Sequence, residues 1–236
     1  MTSTEPESRI RLAHLLAAAV SAAIISGLIT AVLHQFFLVP LILQAEVFES
    51  AGHAHVAAAS QLHRDATQIA YTTLFDILGA FGFAALLAAC YAVVGPVSWQ
   101  RGALWGLAGF ASLSLAPALG LPPELPGTPA ADLVARQLWW LAAAISTAAG
   151  LACIVRTRGW RAKMLGVVLI AWPHVLGAPR APAEISEVPA ALSHAFIAWS
   201  LVTSLVLWLL IGALTALFMA RWSDRTRLGR VTSPAR

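Results

Sequence analysis

Charge is what this sequence has least of: Asp, Glu, Lys and Arg make up only 11% of its 236 residues, against about 25% in an ordinary soluble domain. Cysteine is scarcer still, at two residues, which excludes a secreted disulfide scaffold. No GxxxxGK[ST] phosphate loop occurs, so the chain cannot power work with its own ATP hydrolysis. CxxC and HExxH are absent, and no closed metal site is fixed by spacing. GxSxG and paired catalytic carboxylates are missing too, so an enzyme is not expected. Apolar side chains fill the space these absences leave. Hydrophobic residues reach 59% and mean hydropathy is +0.76, more than a soluble surface can carry. The composition implies a membrane protein and excludes a soluble enzyme or a nucleic-acid-binding domain.

The charge-free runs locate the spans. They are Leu12 to Ala45, Gly102 to Pro123, Gln137 to Val155, Met164 to Pro179 and Val188 to Ala220, and Ala66 to Gln100 is broken only by Asp76. A bilayer core takes about 20 apolar residues per helix. The expectation is therefore an all-α, polytopic bundle with six spans, the fifth short, over 12–38, 69–94, 102–119, 137–155, 163–178 and 194–220. Residues 12–220 read as a single transmembrane domain with an outer loop over 44–68, preceded by a cytoplasmic segment 1–11 and followed by a basic cytoplasmic tail 221–236. The first apolar run is too long for the core of a signal peptide, so the first helix is expected to stay as an anchor.

A sequence pI of about 9.8 invites a nucleic-acid reading, but in such a chain basic charge is first a topology signal. Arg9, Arg11, Arg101, Arg156, Arg158, Arg161, Lys163, Arg221, Arg225, Arg227, Arg230 and Arg236 fall on one face, twelve in all, against three on the other: Arg64, Arg136 and Arg180. The richer face is read as cytoplasmic, which puts both termini inside. Seven acids, among them Glu46, Glu124 and Asp132, fall outside. Cys90 and Cys153 lie near the cytoplasmic ends of their spans, where a reducing compartment opposes a disulfide. They read as packing residues or as a thiolate ligand near an inner exit.

Proline punctuates the helices that rise toward the outer face, each expected to end at one: Pro40, Pro117 and Pro173. Proline at such depth frees carbonyls that lipid cannot solvate, so these breaks should pack on protein or line a wet cavity. "PALGLPP" at 117–123 and "PHVLGAP" at 173–179 are alike enough to suggest a duplicated two-helix unit, although Ala-rich apolar segments resemble one another readily. Gly102 with Gly106, and Gly79 with Gly82, read as the small-residue surface of close helix packing.

Six of the seven histidines fall on the outer side by this topology: His34, His53, His55, His63, His174 and His194. Imidazole is the commonest metal ligand, and mixed imidazole and carboxylate sites suit borderline divalent ions such as Co(II), Ni(II) and Zn(II). Glu46 and Glu124 supply carboxylates on that side. His53, His55 and His63 read either as solvated loop residues or as transient ion captors. His34 and His174, inside apolar spans, need a partner or a water path. Asp76, the one formal charge within a span, is expected roughly 10 Å below the outer boundary at about 1.5 Å per residue. With Gln68 and Thr72 it forms a polar stripe expected to face protein, and either an ion or a structural hydrogen bond would justify its cost. Arg136, Gln137, Trp139 and Trp140 open the fourth helix as an aromatic belt or a gate.

Four strings go beyond composition: "QFFLVPLILQAEVFE" at 35–49, "LAPALGLPPELPG" at 115–127, "ARQLWWLA" at 135–142 and "WPHVLGAP" at 172–179. In order and spacing the chain resembles, over about residues 12–220, the CbtA family of bacterial membrane proteins, proposed cobalt transporter subunits. The resemblance carries Pro40, Glu46, Pro117, Gly120, Pro122, Pro123, Glu124, Arg136, Gln137, Trp139, Trp140, Pro173, His174, Gly177 and Pro179, and does not cover His53 or His55. It implies a link to cobalamin and a small single-span, histidine-rich partner, CbtB.

The expected function is a transporter subunit of the bacterial inner membrane. It would take up a divalent cation, Co(II), through an outer His and carboxylate vestibule, with no permanently bound cofactor. Its partners would be the lipid bilayer, the metal ion and a CbtB-like subunit, with no nucleic acid. Two other readings stay open: a redox protein holding haem or approaching a quinone, and a metal-sensing or assembly subunit that does not conduct.

Overall fold

The structure, a computed structural model, describes residues 5–51, 66–181 and 188–231, with side chains described at 12–48, 66–181 and 188–222. His53, His55 and His63 lie outside these. Every regular element among the described residues is helical, as expected where backbone N–H and C=O groups must find partners within their own segment. In order they are α1 (Glu5–Leu33), a π-helical turn (His34–Leu38), α2 (Val39–Ala51), α3 (Ala66–Val94), α4 (Trp99–Phe110), a second π turn (Ala111–Leu115), α5 (Ala116–Ala118), α6 (Leu133–Arg156), α7 (Trp160–Leu176) and α8 (Ala190–Val231).

Four helices among the described residues are long and apolar enough to cross a membrane: Leu12–Phe48, Ala66–Val94, Leu133–Arg156 and Ala190–Trp222. The chain is thus a multi-pass membrane protein. Two of the six expected spans are not among the four. α7 has 17 residues, about 25 Å at 1.5 Å per residue, short of a hydrocarbon core about 30 Å thick. The stretch from Trp99 to Ala118 is helical throughout but less apolar, opening on Gln100 and Arg101 and carrying Gly102, Gly106, Gly109, Ser112 and Ser114.

The first helix departs from expectation most. Pro40 does not end it: helix continues through α2 to Ala51, well past the expected boundary at 38 and into the expected outer loop. Proline has no N–H to donate and its ring crowds the carbonyl four residues back. A π turn relieves this by running bonds over five residues and widening the coil. Here the Val39 N–H reaches the His34 carbonyl. The second π turn repeats the device, with Ala116 N–H on the Ala111 carbonyl, and Pro117 follows it at the same separation as Pro40 follows the first. Pro173 also lies inside its helix, and α7 stops only at Leu176. Gly177, at φ +84°, then turns the chain out through a left-handed conformation open to glycine.

The described residues fall into two units by proximity. The first draws on Met1–Val32, Ala66–Leu107 and Leu205–Arg236. Its packing is built on small residues: Ala18, Ala19, Ala22 and Ser26 of α1 have no exposed surface, and a Cβ on Gly27 would come within 2.7 Å of the Ile77 Cα. Gly102 and Gly106 meet the carbonyls of Gly212 and Trp208, too close for any side chain. Tyr91 completes this crossing, its hydroxyl lying 3.3 Å from the Gly102 carbonyl and 3.1 Å from that of Gly212. Such close backbone approach is what holds helices together where lipid removes the hydrophobic drive. Gly79 and Gly82 do otherwise. No described residue lies within 4 Å of a Cβ built on either, so the packing role expected of them is not realised among the described residues.

The second unit draws on Leu33–Asp65 and Ala108–Ser204. Its centre is the α6–α7 hairpin, where a Cβ on Gly150 would lie 2.5 Å from the Gly166 carbonyl and one on Gly166 2.6 Å from that of Gly150. Asp132 caps α6 by accepting the Ala135 N–H at 2.9 Å, worth about 1 kcal/mol. Phe37, in the first π turn, stacks on Trp199 with centroids 3.9 Å apart. Ala45, Leu125 and Val188 form a small core flanked by Ile42 and Phe196.

Candidate functional site

Of the described residues proposed from sequence as functional, His34, Glu46, Glu124, Arg136, Trp139, Trp140, His174 and His194 belong to the second unit, whereas Asp76, with Gln68, Thr72 and Cys90, belongs to the first. The site is assembled in the second unit by the segment linking α5 to α6 and by the bent end of α7. Pro117 and Pro173 are both fully buried, so the proline breaks pack on protein. The carbonyl of Pro117 takes the N–H groups of Gly120 and Leu121 at 3.1 and 2.9 Å. The carbonyl of Pro173 takes the Gly177 N–H at 3.1 Å and the indole N–H of Trp139 at 3.2 Å.

Trp139 is therefore neither a belt nor an exposed flap. It is 9% exposed, its six-membered ring rests on Gly120 so closely that no Cβ would fit there, and its edge-to-face partner is His174, 5.7 Å away at 76°. His174 lies half-buried, and its Nε2 is enclosed with no hydrogen-bond partner among the described residues. An enclosed imidazole nitrogen without a partner forgoes the bond water would have given it.

Glu124 and Arg136 form an ion pair, Oε2 to Nη2 at 2.8 Å, with side chains 25% and 30% exposed. The carboxylate read from sequence as a metal ligand is thus already engaged by the arginine read as a gate. The proline-rich segment and helix α6 are twelve residues apart at these positions, a separation no local pattern announces. Glu124 stands in the wall of two cavities. One, of about 680 Å³, is also lined by Ser114, Pro117, Arg136, Gln137, Trp140 and Ser204, with Ser204 donating to Ser114 at 2.8 Å. The other, of about 460 Å³, is lined by Gly120, Trp139, His174 and Arg180 as well. Glu124 and His174 therefore share one cavity, which an imidazole and a carboxylate both line.

The remaining described candidates are not among the lining residues of these two cavities. His34 lies half-buried in the first π turn, while Glu46 on α2 and His194 on α8 are exposed. Asp76 and Thr72 are half-buried on α3, but Gln68 is exposed, so the polar stripe faces protein only along its lower part. Among the described residues no three His, Cys, Asp or Glu side chains gather closely enough to hold a metal ion. Cys90 and Cys153 are free thiols. Sequence reasoning passed over Gln35, in the first π turn, whose amide nitrogen is enclosed without a partner among the described residues. Its signal, a polar side chain beside His34 in an apolar run, was there to read.

The long apolar helices define a multi-pass integral membrane protein. The family described as "Probable cobalt transporter subunit (CbtA)" matches residues 12–220, and the chain belongs to it. No curated protein matches the chain, and no solved structure does.

Proposed function

We propose that the protein is a cobalt transporter subunit that takes up Co(II), or a related divalent cation, for cobalamin synthesis, with the ion as substrate and no resident cofactor. The observation that carries this reading is the shared cavity of Glu124 and His174, borderline-ion ligands in a lining that also includes Pro122 and Pro179. The split of basic residues, twelve against three, supports a bacterial inner-membrane protein with six crossings, a short fifth one and both termini inside. In this reading residues 12–220 act as one transmembrane domain. His53, His55 and His63, with Glu46, raise the local ion concentration at the outer mouth. His34 and His194 stand along the vestibule, and Asp76 serves the path within the first unit. Trp140 and Arg136 line the approach. A CbtB-like single-span subunit completes the assembly.

Reconstitution tests it. Purified protein in proteoliposomes, with and without that partner, should accumulate radioactive cobalt against a chelator inside. A chain that binds cobalt in detergent yet moves none under either condition is a sensing or assembly subunit instead.

A further inference from the structure

The two members of the Glu124–Arg136 pair are held very differently. Glu124 stands in Pro122-Pro123-Glu124-Leu125-Pro126, where prolines fix φ and leave the backbone little freedom. Leu125 next to it is 4% exposed and anchored against Ala45 and Val188. The backbone that carries the carboxylate is therefore a fixed point. Arg136 extends from the first turn of α6 on a long, flexible stem, its own N–H bonded to the Asp132 carbonyl at 3.0 Å. A cation in the first turn sits at the positive end of the helix dipole. The helix does not favour a guanidinium there, and Glu124 does.

Charge around the cavities sharpens the point. Their described lining holds one carboxylate, Glu124, and two guanidinium groups, Arg136 and Arg180, beside the imidazole of His174. With the ion pair closed, a divalent cation approaching Glu124 meets a carboxylate already neutralised by Arg136 and one uncompensated positive charge, Arg180. Arg136 holds Glu124 through a single contact, Nη2 to Oε2 at 2.8 Å, so it competes with an ion for the carboxylate, and the larger cavity, which Arg136 already lines with Gln137 and Ser204, has room to receive the side chain once it is displaced.

We propose that Arg136 is a tethered counter-cation. It occupies Glu124 while no ion is bound, yields the carboxylate to an arriving divalent cation, and retakes it as the ion moves on. The ion is thereby held loosely and released quickly, which a pathway needs more than tight binding. The inference rests on the reading of Glu124 as an ion ligand and adds what empties that ligand.

Equilibrium dialysis of the detergent-purified full chain against cobalt(II) chloride tests it. Arg136→Gln removes the competitor and should tighten cobalt binding about tenfold, the scale of one lost charge-assisted hydrogen bond. Arg136→Lys, which keeps the charge but loses the planar fork, should fall between Arg136→Gln and the parent chain. Glu124→Gln should bind weakly, and the double variant no better, which assigns the gain to that carboxylate. Equal or weaker binding by Arg136→Gln, in protein that elutes as a single folded species, overturns the proposal. If that variant does not fold, equal or weaker binding by Arg136→Lys overturns it in the same way. The transport reading fails separately. A parent chain that shows this binding pattern but moves no cobalt in proteoliposomes loses conduction and keeps the counter-cation. One that moves cobalt while Arg136→Gln binds no tighter keeps conduction and loses it.

Discussion

Trp139 donates its indole N–H to the carbonyl of Pro173 at 3.2 Å, and this one bond ties the start of α6 to the bent end of α7. Arg136 lies three positions before Trp139 on α6 and His174 directly follows Pro173. The bond therefore fixes the two sides of the smaller cavity to each other, with Gly120 beneath the indole as the floor. An aromatic pair that composition alone would assign to the membrane interface is split by the fold: Trp139 buried as a strut, Trp140 half-exposed in the wall of the larger cavity.

That strut predicts a pair of stability effects. Gly120→Ala drives a methyl into the Trp139 ring and should cost about 1–3 kcal/mol, as overpacking does. Trp139→Phe withdraws the far ring and one hydrogen bond, a loss of about 1 kcal/mol for the bond. The double variant should recover part of the Gly120→Ala loss, because the smaller ring makes room, so the two changes will not add. Thermal unfolding in detergent reads all three. Strict additivity would mean that the two residues do not share this contact.

The glycine pairs predict a contrast between helices of similar composition. Gly150→Ala pushes a methyl onto the Gly166 carbonyl, 2.5 Å away, and should lower stability by about 1–3 kcal/mol. Gly79→Ala meets no described residue within 4 Å and should leave the melting temperature unchanged or slightly raised, since alanine is the better helix former. A loss at Gly79 as large as that at Gly150 would show that α3 packs on a second chain.

Uptake should separate the residues within helices from those of the loop. Asp76→Asn and His174→Ala, each inside a helix where a polar group is costly unless it serves something, should abolish cobalt uptake at every external concentration. Replacing His53, His55 and His63 together should lower uptake only when cobalt is scarce. Normal transport by Asp76→Asn, at normal expression and folding, leaves that carboxylate a structural hydrogen-bond partner.

Topology is open to direct labelling. With Cys90 and Cys153 first replaced by serine, Ala58→Cys should react with an impermeant thiol reagent in intact cells, and a cysteine appended after Arg236 should react only after lysis. The reverse pattern would turn the protein over in the membrane.

The sequence by itself determined the helices, their approximate number and their apolar character, because hydropathy and backbone self-satisfaction are properties of each segment alone. It determined which residues could bind an ion for the same reason: imidazole and carboxylate chemistry belongs to the side chain. Two things were beyond it. Gly102 and Gly79 sit in apolar segments of similar kind, yet one is pressed against the Gly212 carbonyl and the other against no described residue, since the choice belongs to the facing helix. Pro40 reads as a stop but is absorbed by a π turn, whose cost in hydrogen-bond geometry is met by packing such as that of Phe37 on Trp199. The Glu124–Arg136 pair is of the same order, each residue legible alone as a ligand or a gate. Only the fold of α6 against the proline segment brings opposite charges to 2.8 Å, and Coulomb attraction at that distance in a partly dry setting decides that they meet each other first.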